Sequence, residues 1–451
     1  MDPLHVSRRD FCCGTLAASS LAAAGLPLRA RAVGGRKAAN VRVSNDGNVG
    51  HAEPCLAVNP RDPCNLLAAC ELASGPLAAY ASFDGGLTWR SNGPLPMPVG
   101  SPEGGNVSAD FDGAGHGLVC GLVAAPGSPK GAARGVYVWR TDDGGRTFTA
   151  PVAVTGYSPL DRPWLATERQ RPGAVHVVWT AGYRPGNTTA VGYARSIDGG
   201  LTFGAPRTIA SVTSGLGDAM VACGPPGGVY VMYGAGRGVG SAGPLETTGT
   251  QPSDTPATMT VLCSQDRGET FGAPIAIGRG TINVSFSGLP GTSDSLPAIA
   301  AGPDGGLVCA VFSAQKANAG HARILLAASK DGGRTWSPAT PVTPQDQVIY
   351  FEPQVAIDDT GRIGVMAFAW AKGQVSVVLM LSEPGSLRFG RPITVTDKPF
   401  NPALGEIRGN GMWSIGDYQA LATTPGAFHP LWNDTRTGQL QLFTAAVPVR
   451  T

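Results

Sequence analysis

The sequence has few charged residues and no long apolar segment. Charged side chains make up 15% of the 451 residues, and no run of 18 or more apolar residues follows the amino-terminal segment, so no membrane span is expected. Long patterns with the period of an amphipathic helix are also missing. Short apolar runs bounded by glycine, proline, aspartate and asparagine dominate instead. This pattern predicts an all-β protein.

Sequence signals for metal, redox and nucleotide chemistry are missing as well. The six histidines have no spacing such as H-E-x-x-H, and the nine cysteines include no C-x-x-C pair. A phosphate-binding G-x-x-x-x-G-K-[ST] loop is absent too. We therefore predict no metal site and no cofactor. Cys55 and Cys64 flank one short turn and could form a disulfide, although small buried thiols are the alternative.

The first 32 residues have the pattern of an export signal. Ser7-Arg-Arg-Asp-Phe11 is a twin-arginine motif, a weakly hydrophobic stretch follows, and Ala30-Arg-Ala32 matches a cleavage site. We expect residues 33–451 to form a single domain that is periplasmic or secreted by the twin-arginine route. Loss of four arginines and two aspartates leaves 30 basic and 30 acidic residues. A net charge of zero argues against nucleic acid or an anionic membrane as partner.

One octapeptide, Ser/Thr-x-Asp-x-Gly-x-Thr-aromatic, recurs along the chain. Five near-perfect copies and a degenerate sixth begin at Ser82, Thr141, Ser196, Ser264, Ser329 and Ser382. The aspartate can accept bonds from backbone N–H groups of a hairpin turn, and glycine supplies the positive φ that the turn needs. The repeat therefore predicts structural turns rather than catalytic aspartates.

Each octapeptide ends a longer unit whose first strand carries a recurrent alanine. This alanine stands at Ala57, Ala109, Ala166, Ala222, Ala300, Ala356 and Ala422. Seven units indicate a β-propeller of seven blades, with six blades as the alternative. The last unit lacks an outer strand, and the chain has a spare strand near Val41. Pairing of that strand with the last blade would close the ring and remove its exposed edge.

The octapeptides resemble the Asp boxes of sialidase-type propellers, the exo-α-sialidase or BNR-repeat family. The segments Glu53-Pro-Cys-Leu-Ala-Val-Asn-Pro60 and Gly416-Asp-Tyr-Gln-Ala-Leu-Ala422 also resemble that family. The resemblance implies hydrolysis of a terminal acidic sugar by a tyrosine nucleophile paired with a glutamate, an aspartate acid and an arginine clamp on the substrate carboxylate. The family's Arg-Ile-Pro motif is absent, and Arg162-Pro163 is the nearest substitute.

Acidic residues stand close to the start of the innermost strand in most units, where loops of all blades converge. They are Glu53, Asp161, Asp218, Asp294, Glu352 and Asp417. Such carboxylates could cap their own loops, form a general-acid or sugar site, or hold a cation.

If the protein is a glycosidase, the resemblance implies specific roles for this rim. Tyr350 or Tyr418 would be the nucleophile and Glu352 or Asp417 its base, with Asp161 on the same rim. Tyr350 and Glu352 are two residues apart and would share a strand face. The anion clamp would comprise Arg162, Arg408 and Arg436. Arg436 could instead belong to a salt-bridged turn with Asp434.

Two functions of different class follow. The first is an exported sialidase-like glycoside hydrolase, and the second is a non-catalytic propeller that binds glycan or protein through the same face. The first predicts a carbohydrate or glycoconjugate as the partner, and so does the glycan-binding form of the second. A propeller closes its own sheet edges, so we expect a monomer.

Overall fold

The computed structural model describes residues 39–101, 103–128, 133–182, 188–213, 215–236, 256–284, 293–315, 321–405, 415 and 418–449. The predicted export signal lies outside these residues. Strands dominate the described part of the chain, and its helical structure is a three-residue 3₁₀ turn, Pro402–Leu404. None of the helical structure described there is long or apolar enough to cross a membrane.

The strands follow one another in short antiparallel runs. The first part of the chain contains β1 (Val41–Arg42), β2 (His51–Val58), β3 (Leu66–Leu72), β4 (Leu77–Ser82), β5 (Arg90–Pro94), β6 (Gly104–Phe111), β7 (Gly117–Ala124), β8 (Arg134–Thr141) and β9 (Val152–Ala153). The next part contains β10 (Leu160–Thr167), β11 (Val175–Ala181), β12 (Thr189–Ser196), β13 (Arg207–Val212), β14 (Leu216–Gly224), β15 (Gly228–Ala235), β16 (Ala257–Ser264), β17 (Ile275–Gly280), β18 (Asn283–Val284) and β19 (Ser293–Asp294).

The remaining strands are β20 (Ala298–Ala301), β21 (Val308–Gln315), β22 (Ala322–Ser329), β23 (Thr340–Pro341), β24 (Ile349–Ile357), β25 (Ile363–Ala371), β26 (Gln374–Leu381), β27 (Ile393–Thr394), β28 (Ala420–Thr424), β29 (Ala427–Asp434), β30 (Gln441–Thr444) and β31 (Val447–Pro448). Almost all of the longer strands bury both faces, which is typical of sheets packed against neighbours on each side.

These sheets form an all-β propeller. Four blades are four-stranded meanders, β2–β5, β6–β9, β10–β13 and β14–β17, and a fifth is the five-stranded sheet β1-β30-β29-β28 with β31. β20 to β27 form one eight-stranded sheet. Sheet pairing therefore separates five blades, and the preference for seven is not confirmed. β2 contacts β6, β6 contacts β10, β10 contacts β14 and β28 contacts β2, so these are the innermost strands around the axis.

The amino-terminal strand pairs with the end of the chain. Val41 and Arg42 of β1 lie opposite Thr444 and Phe443 of β30, as the spare strand predicts. The next residue, Val43, is completely buried in a cluster of side chains from the first and last blades. Ring closure therefore buries apolar surface as well as joining backbone groups.

Polar contacts reinforce this closure. The Tyr80 hydroxyl donates to Asp46 at 2.6 Å, and the His51 ring lies 3.2 Å from the same carboxylate. The other ring nitrogen of His51 faces the Leu440 carbonyl at 3.3 Å. Burial lowers the pKa of His51. These contacts link the first blade to the loop after β1 and to the last blade.

The octapeptide turns share one hydrogen-bond pattern. In the first copy, Ser82 Oγ donates to Asp84 at 2.9 Å and accepts from the Gly86 N–H at 2.8 Å. The Thr88 N–H and hydroxyl donate to the two oxygens of the same carboxylate at 2.9 and 2.6 Å. The four bonds recur around Asp143, Asp198, Asp266 and Asp331. Each aspartate is thus a turn-forming residue.

The glycine at the fifth position of the octapeptide packs tightly on the preceding blade. Gly333 has φ +83°, and a Cβ there would lie 2.7 Å from Cys263 Sγ, so only glycine fits. Side chains of one blade also donate to carbonyls of the next turn: Asn65 to Gly144, Arg140 to Gly199, Arg195 to Arg267, and Gln265 to Gly332. The octapeptides therefore close their own hairpins and also join neighbouring blades.

Cys55 and Cys64 do not form the disulfide that their spacing allows. Both are free thiols, and Cys55 is buried in β2 with its sulfur 3.5 Å from the Ala69 carbonyl. Burial raises the pKa of Cys55 to about 12 and so keeps the thiol protonated.

We predict that Val43→Ala lowers the free energy of unfolding by about 2 kcal/mol, because two methyl-sized groups leave a fully buried position. Urea unfolding of the whole chain measures the change. Val99→Ala is the matched control, since Val99 is 98% exposed, and it should unfold like the parent. Equal stability of the two variants would show that the closing strand does not contribute as described.

The octapeptide carboxylates also predict a loss of stability in acid. The bonds from Thr270 and Thr335 lower the pKa of Asp266 and Asp331 to about 2, against about 3.9 in an unfolded chain. Because the folded pKa is lowered, the stabilisation is complete above about pH 4 and is lost as the pH falls towards 2. Asp266→Asn should flatten this part of the stability curve in urea titrations at several pH values. A slope identical to the parent's would contradict the assignment.

Candidate functional site

The innermost strands share a β-bulge at the same place. Their register shifts between Ala52 and Cys55 in β2, and the equivalent shift occurs in the innermost strands of four further units. These shifts lie at Gly105/Ser108, Asp161/Trp164, Gly217/Met220 and Phe351/Gln354. A bulge leaves one residue unpaired and turns its side chain away from the regular alternation.

The bulges place buried polar side chains around the axis. Glu53, Asn106, Arg162 and Glu352 each have positive φ, between 47° and 54°, and exposures of 1–9%. Positive φ is uncommon for residues other than glycine and costs conformational energy. In β2, β10 and β24 the next residue is proline, which has no N–H to leave unpaired at the bulge. The same backbone irregularity therefore presents a buried polar group in each of these four strands, and the group is glutamate in two of them, asparagine in one and arginine in one.

Tyr418 connects three of these bulges. The oxygen of its hydroxyl lies 3.2 Å from the Glu53 carboxylate and 3.1 Å from the Val107 carbonyl, so its single hydrogen can be donated to either acceptor. Asn106 donates to the same glutamate oxygen at 2.8 Å. The Arg162 guanidinium lies over the Tyr418 ring at 6.0 Å from its centre. Tyr418 is 2% exposed, so these groups form one compact cluster. We name Glu53, Asn106, Arg162 and Tyr418 the central cluster.

An aromatic contact and a charge balance shape this cluster. Trp164 lies two residues after Arg162 on the same inner strand, β10. Its ring meets the Tyr418 ring edge-on, with ring centres 5.4 Å apart. Burial and the negative charge of Glu53 raise the pKa of Tyr418 well above its usual value, and Arg162 partly offsets this. Tyr418 is therefore a neutral hydrogen-bond donor at neutral pH, with a carboxylate positioned to accept its proton.

Glu352 belongs to a second arrangement that the last blade supports. Gln419 donates to the Glu352 carboxylate at 2.8 Å, and its own oxygen accepts from the Asn433 N–H at 2.8 Å. The backbone N–H of Glu352 donates to Ser295 at 2.7 Å. Because Gln419 is fully buried and held at both ends, it fixes the orientation of Glu352.

The Tyr350 hydroxyl has a carboxylate partner other than the predicted Glu352. The Tyr350 hydroxyl donates to Asp346 at 3.0 Å, and burial beside that carboxylate raises the pKa of Tyr350. The bulge after Phe351 breaks the two-residue alternation on which the pairing depended. Tyr350 packs in the apolar cluster between blades, while the Glu352 carboxylate accepts from Gln419.

Asp161 stands one residue before the bulge position that Glu53 and Glu352 occupy in their strands. Asp161 still pairs with Thr180 of β11 before the bulge, and Arg162 takes the position that Glu53 and Glu352 occupy in their strands. The Asp161 carboxylate accepts from the Arg162 N–H at 3.1 Å and forms an ion pair with Arg134 at 3.5 Å. It therefore borders the central cluster.

The predicted arginine clamp is not assembled among the described residues. Arg436 donates through Nε and Nη2 to Asp434 at 2.9 and 2.7 Å and also pairs with Asp397. Its guanidinium lies 4.6 Å from the centre of the Phe443 ring. Arg436 is thus committed to the salt-bridged turn that was its alternative. Arg408 and Asp417 lie outside the described residues.

The sequence pattern places Glu53 on the rim but does not distinguish it as a catalytic residue. A usable signal was present, because Glu53, Arg162 and Glu352 each precede a proline and stand four residues before the recurrent alanine. Asn106 and Gln419 carried no such signal. Within the described ranges, no group of three or more histidine, cysteine or acidic side chains is arranged to hold a metal ion.

Comparison with known proteins supports the fold alone. No family profile and no curated protein matches the sequence. A lectin, BP39L from Burkholderia pseudomallei, is similar in structure, with a TM-score of 0.55, 12% identity, and coverage of 89% of this chain and 98% of the lectin. A family PL25 ulvan lyase bound to -[GlcA(1-4)Rha3S]- has a TM-score of 0.53 and 11% identity, covering 89% of this chain and 94% of the lyase.

A third similar structure is a protein of unknown function from Dyadobacter fermentans. Its TM-score is 0.53 at 14% identity, and the match covers 92% of this chain and 99% of that protein. None of the three is named a sialidase, so the predicted kinship with sialidases remains a prediction. At these identities the likeness establishes a propeller fold that is also found in proteins named for glycan binding and glycan cleavage.

Proposed function

We propose that this protein acts on glycans at the centre of the propeller and that the central cluster cleaves a glycosidic bond. The observation that carries the proposal is the Tyr418 hydroxyl bonded to Glu53 at 3.2 Å, with Arg162 beside the same ring. A tyrosine with a carboxylate as proton acceptor is a nucleophile–base pair, and a neighbouring cation can hold a substrate anion. These are the parts that hydrolysis of a terminal acidic sugar requires.

The proposed reaction has two steps. The reactive form has Asp161 protonated and Glu53 ionised. The Tyr418 oxygen bonds to the anomeric carbon while its proton passes to Glu53, the glycosidic C–O bond breaks, and the protonated Asp161 gives its proton to the departing alcohol. Water then adds to the anomeric carbon, Asp161 takes back a proton from it, and the Tyr418 oxygen leaves with the proton held by Glu53. Two displacements at one carbon retain its configuration. The raised pKa of Tyr418 makes the proton transfer to Glu53 necessary for attack.

Hydrolysis of a fluorogenic α-sialoside by the purified protein tests this proposal. We expect Tyr418→Phe to lower kcat/KM at least about 10³-fold, because the nucleophile is lost. Glu53→Gln should lower it about 10²- to 10⁴-fold, because the proton acceptor is lost. Arg162→Ala should raise KM for the acidic sugar.

Tyr350→Phe is the matched control for this series. It removes the same hydroxyl from a buried tyrosine that bonds Asp346 and lies outside the central cluster, so it should hydrolyse at the parent's rate. Near-ultraviolet circular dichroism shows whether each variant is folded. Absence of turnover by the folded parent, or equal rates in Tyr418→Phe and Tyr350→Phe, would rule out this mechanism.

A second candidate is binding of a glycan without cleavage. Two observations favour it: Tyr418 is 2% exposed, and Arg162 is the only predicted clamp arginine that the described residues bring to the centre. A glycan array probed with the parent and with Glu53→Gln distinguishes the two functions. Retained binding without turnover supports a lectin-like role, and loss of binding in Glu53→Gln assigns that role to the central cluster.

We further propose that the ring has seven blades. The eight-stranded sheet contains two four-strand runs, β20–β23 and β24–β27, joined by the single parallel pair Ala322–Ile349. β20 contacts both β14 and β24, and β24 contacts β28, which continues the order of innermost strands. An experimental density map with six sheets around the axis would contradict this count.

We also propose twin-arginine export as a monomer. The Ser7-Arg-Arg-Asp-Phe11 motif and the closed strand edges support it. Amino-terminal sequencing of periplasmic protein, and its mass in solution, check both statements.

A further inference from the structure

Two tyrosines form an exposed pair on the second blade. The Tyr137 hydroxyl lies 3.0 Å from that of Tyr157, and the ring centres are 6.2 Å apart with a tilt of 41°. Tyr157 is 41% exposed and is the only aromatic among the large apolar side chains that the described residues expose to this degree. The other members of that set are aliphatic, and three of them, Leu87, Ile197 and Leu201, lie on octapeptide turns.

A glycine beneath the rings makes this pair possible. A Cβ at Gly135 would lie 2.8 Å from the Tyr137 ring and 3.3 Å from the Tyr157 ring. Both rings therefore lie close to the backbone of β8 and cannot collapse further onto it. The result is a pair of rings that lie on the protein backbone, with Tyr157 exposed to solvent and Tyr137 partly buried.

The pair lies at the same end of the blade as the central cluster. Gly104 of β6 lies opposite Val123 of β7, which in turn lies opposite Gly135 of β8. This row of paired residues begins beside the bulge at Asn106 and runs outward to β8. Two strand spacings put the backbones of β6 and β8 about 10 Å apart. The octapeptide turns lie at the opposite ends of the strands.

The segment from Tyr157 to Arg162 connects the tyrosine pair to the central cluster. Tyr157 stands four residues before Asp161, in the segment that enters β10 and its bulge at Arg162. Arg134, the neighbour of Gly135, forms the ion pair with Asp161 at 3.5 Å. The tyrosine pair, this ion pair and the central cluster thus follow one another across the blade.

We propose that Tyr137 and Tyr157 form a second subsite that takes a sugar unit of the same glycan chain held at the centre. This inference rests on the proposed function, because it assumes that a glycan occupies the central cluster. An aromatic face packs against the C–H face of a sugar ring, and tyrosine adds a polar end. The bond between the two hydroxyls uses one of their two hydrogens, so the pair keeps one hydrogen to donate to a sugar oxygen.

The subsite makes the protein selective for chain length. The Tyr418 hydroxyl contacts the Val107 carbonyl of β6, and β6 lies about 10 Å from β8, which carries Tyr137. A single sugar ring held at Tyr418 does not span these two strand spacings, whereas an oligosaccharide does. The substrate class is therefore an oligosaccharide or polysaccharide whose terminal unit enters the central cluster and whose next units cross the second blade.

A printed array of neutral and acidic glycans of one to six sugar units provides the probe. The strongest-binding oligosaccharide and its terminal monosaccharide are then titrated calorimetrically into the whole protein. We expect Tyr157→Ala to weaken oligosaccharide binding about tenfold and to leave monosaccharide binding unchanged. Tyr157→Phe should keep most of the affinity, because it retains the ring. Leu201→Ala, which removes an exposed side chain at the opposite end, is the matched control and should bind like the parent.

The outcomes separate this inference from the proposed function. Oligosaccharide affinity unchanged in Tyr157→Ala, with binding or turnover lost in Glu53→Gln, would overturn the subsite and leave the central cluster standing. Weaker oligosaccharide binding in Tyr157→Ala, with no effect of Glu53→Gln or Tyr418→Phe, would show that the tyrosine pair binds glycan independently, and it would overturn both the central cluster and the shared glycan chain. An array on which the folded parent binds no glycan would overturn both.

Discussion

A ring of sheets is stable only if its two ends meet, and here the two ends of the chain supply that contact. β1 adds to β30, Val43 enters the shared core, and Tyr80 and His51 converge on Asp46. Each blade between the first and the last has neighbours on both sides by virtue of its place in sequence. The first and last blades each obtain one of their neighbours only through this closure, on which the positions of Tyr418 and Gln419 also depend.

The site follows from the same ring geometry. Tyr418 and Glu53 are 365 positions apart in sequence but meet because β28 and β2 are neighbouring innermost strands. The bulges turn one polar residue per strand away from its sheet, which a regular strand would not do. Hydrogen bonds from Asn106 and Gln419 then fix the two carboxylates. The backbone pattern is common to the blades, while the chemistry depends on which residue occupies each bulge.

The octapeptides and the closing strand could be predicted because each depends on local sequence: a turn needs its own Asp, Gly and Thr, and a spare strand needs an edge. The site could be predicted only in part. Tyr418 and Arg162 were recognised, but alternation placed Tyr350 with Glu352 because a bulge leaves no mark in a period-two pattern. For Arg436 the sequence left both the clamp and the salt-bridged turn open, because an arginine that binds substrate and one that binds Asp434 look alike in sequence; the structure shows the bonds to Asp434.

The closure also sets an order of events during synthesis. Val41 leaves the ribosome early, and its partner Thr444 is made about 400 residues later, which takes roughly 20 to 80 seconds at bacterial and eukaryotic rates of elongation. Through that interval the apolar flank of the first blade that faces the last blade has no partner to cover it. Protection of this flank in the growing chain, by a chaperone or by the chain's own later blades, is therefore a requirement that the finished ring no longer shows.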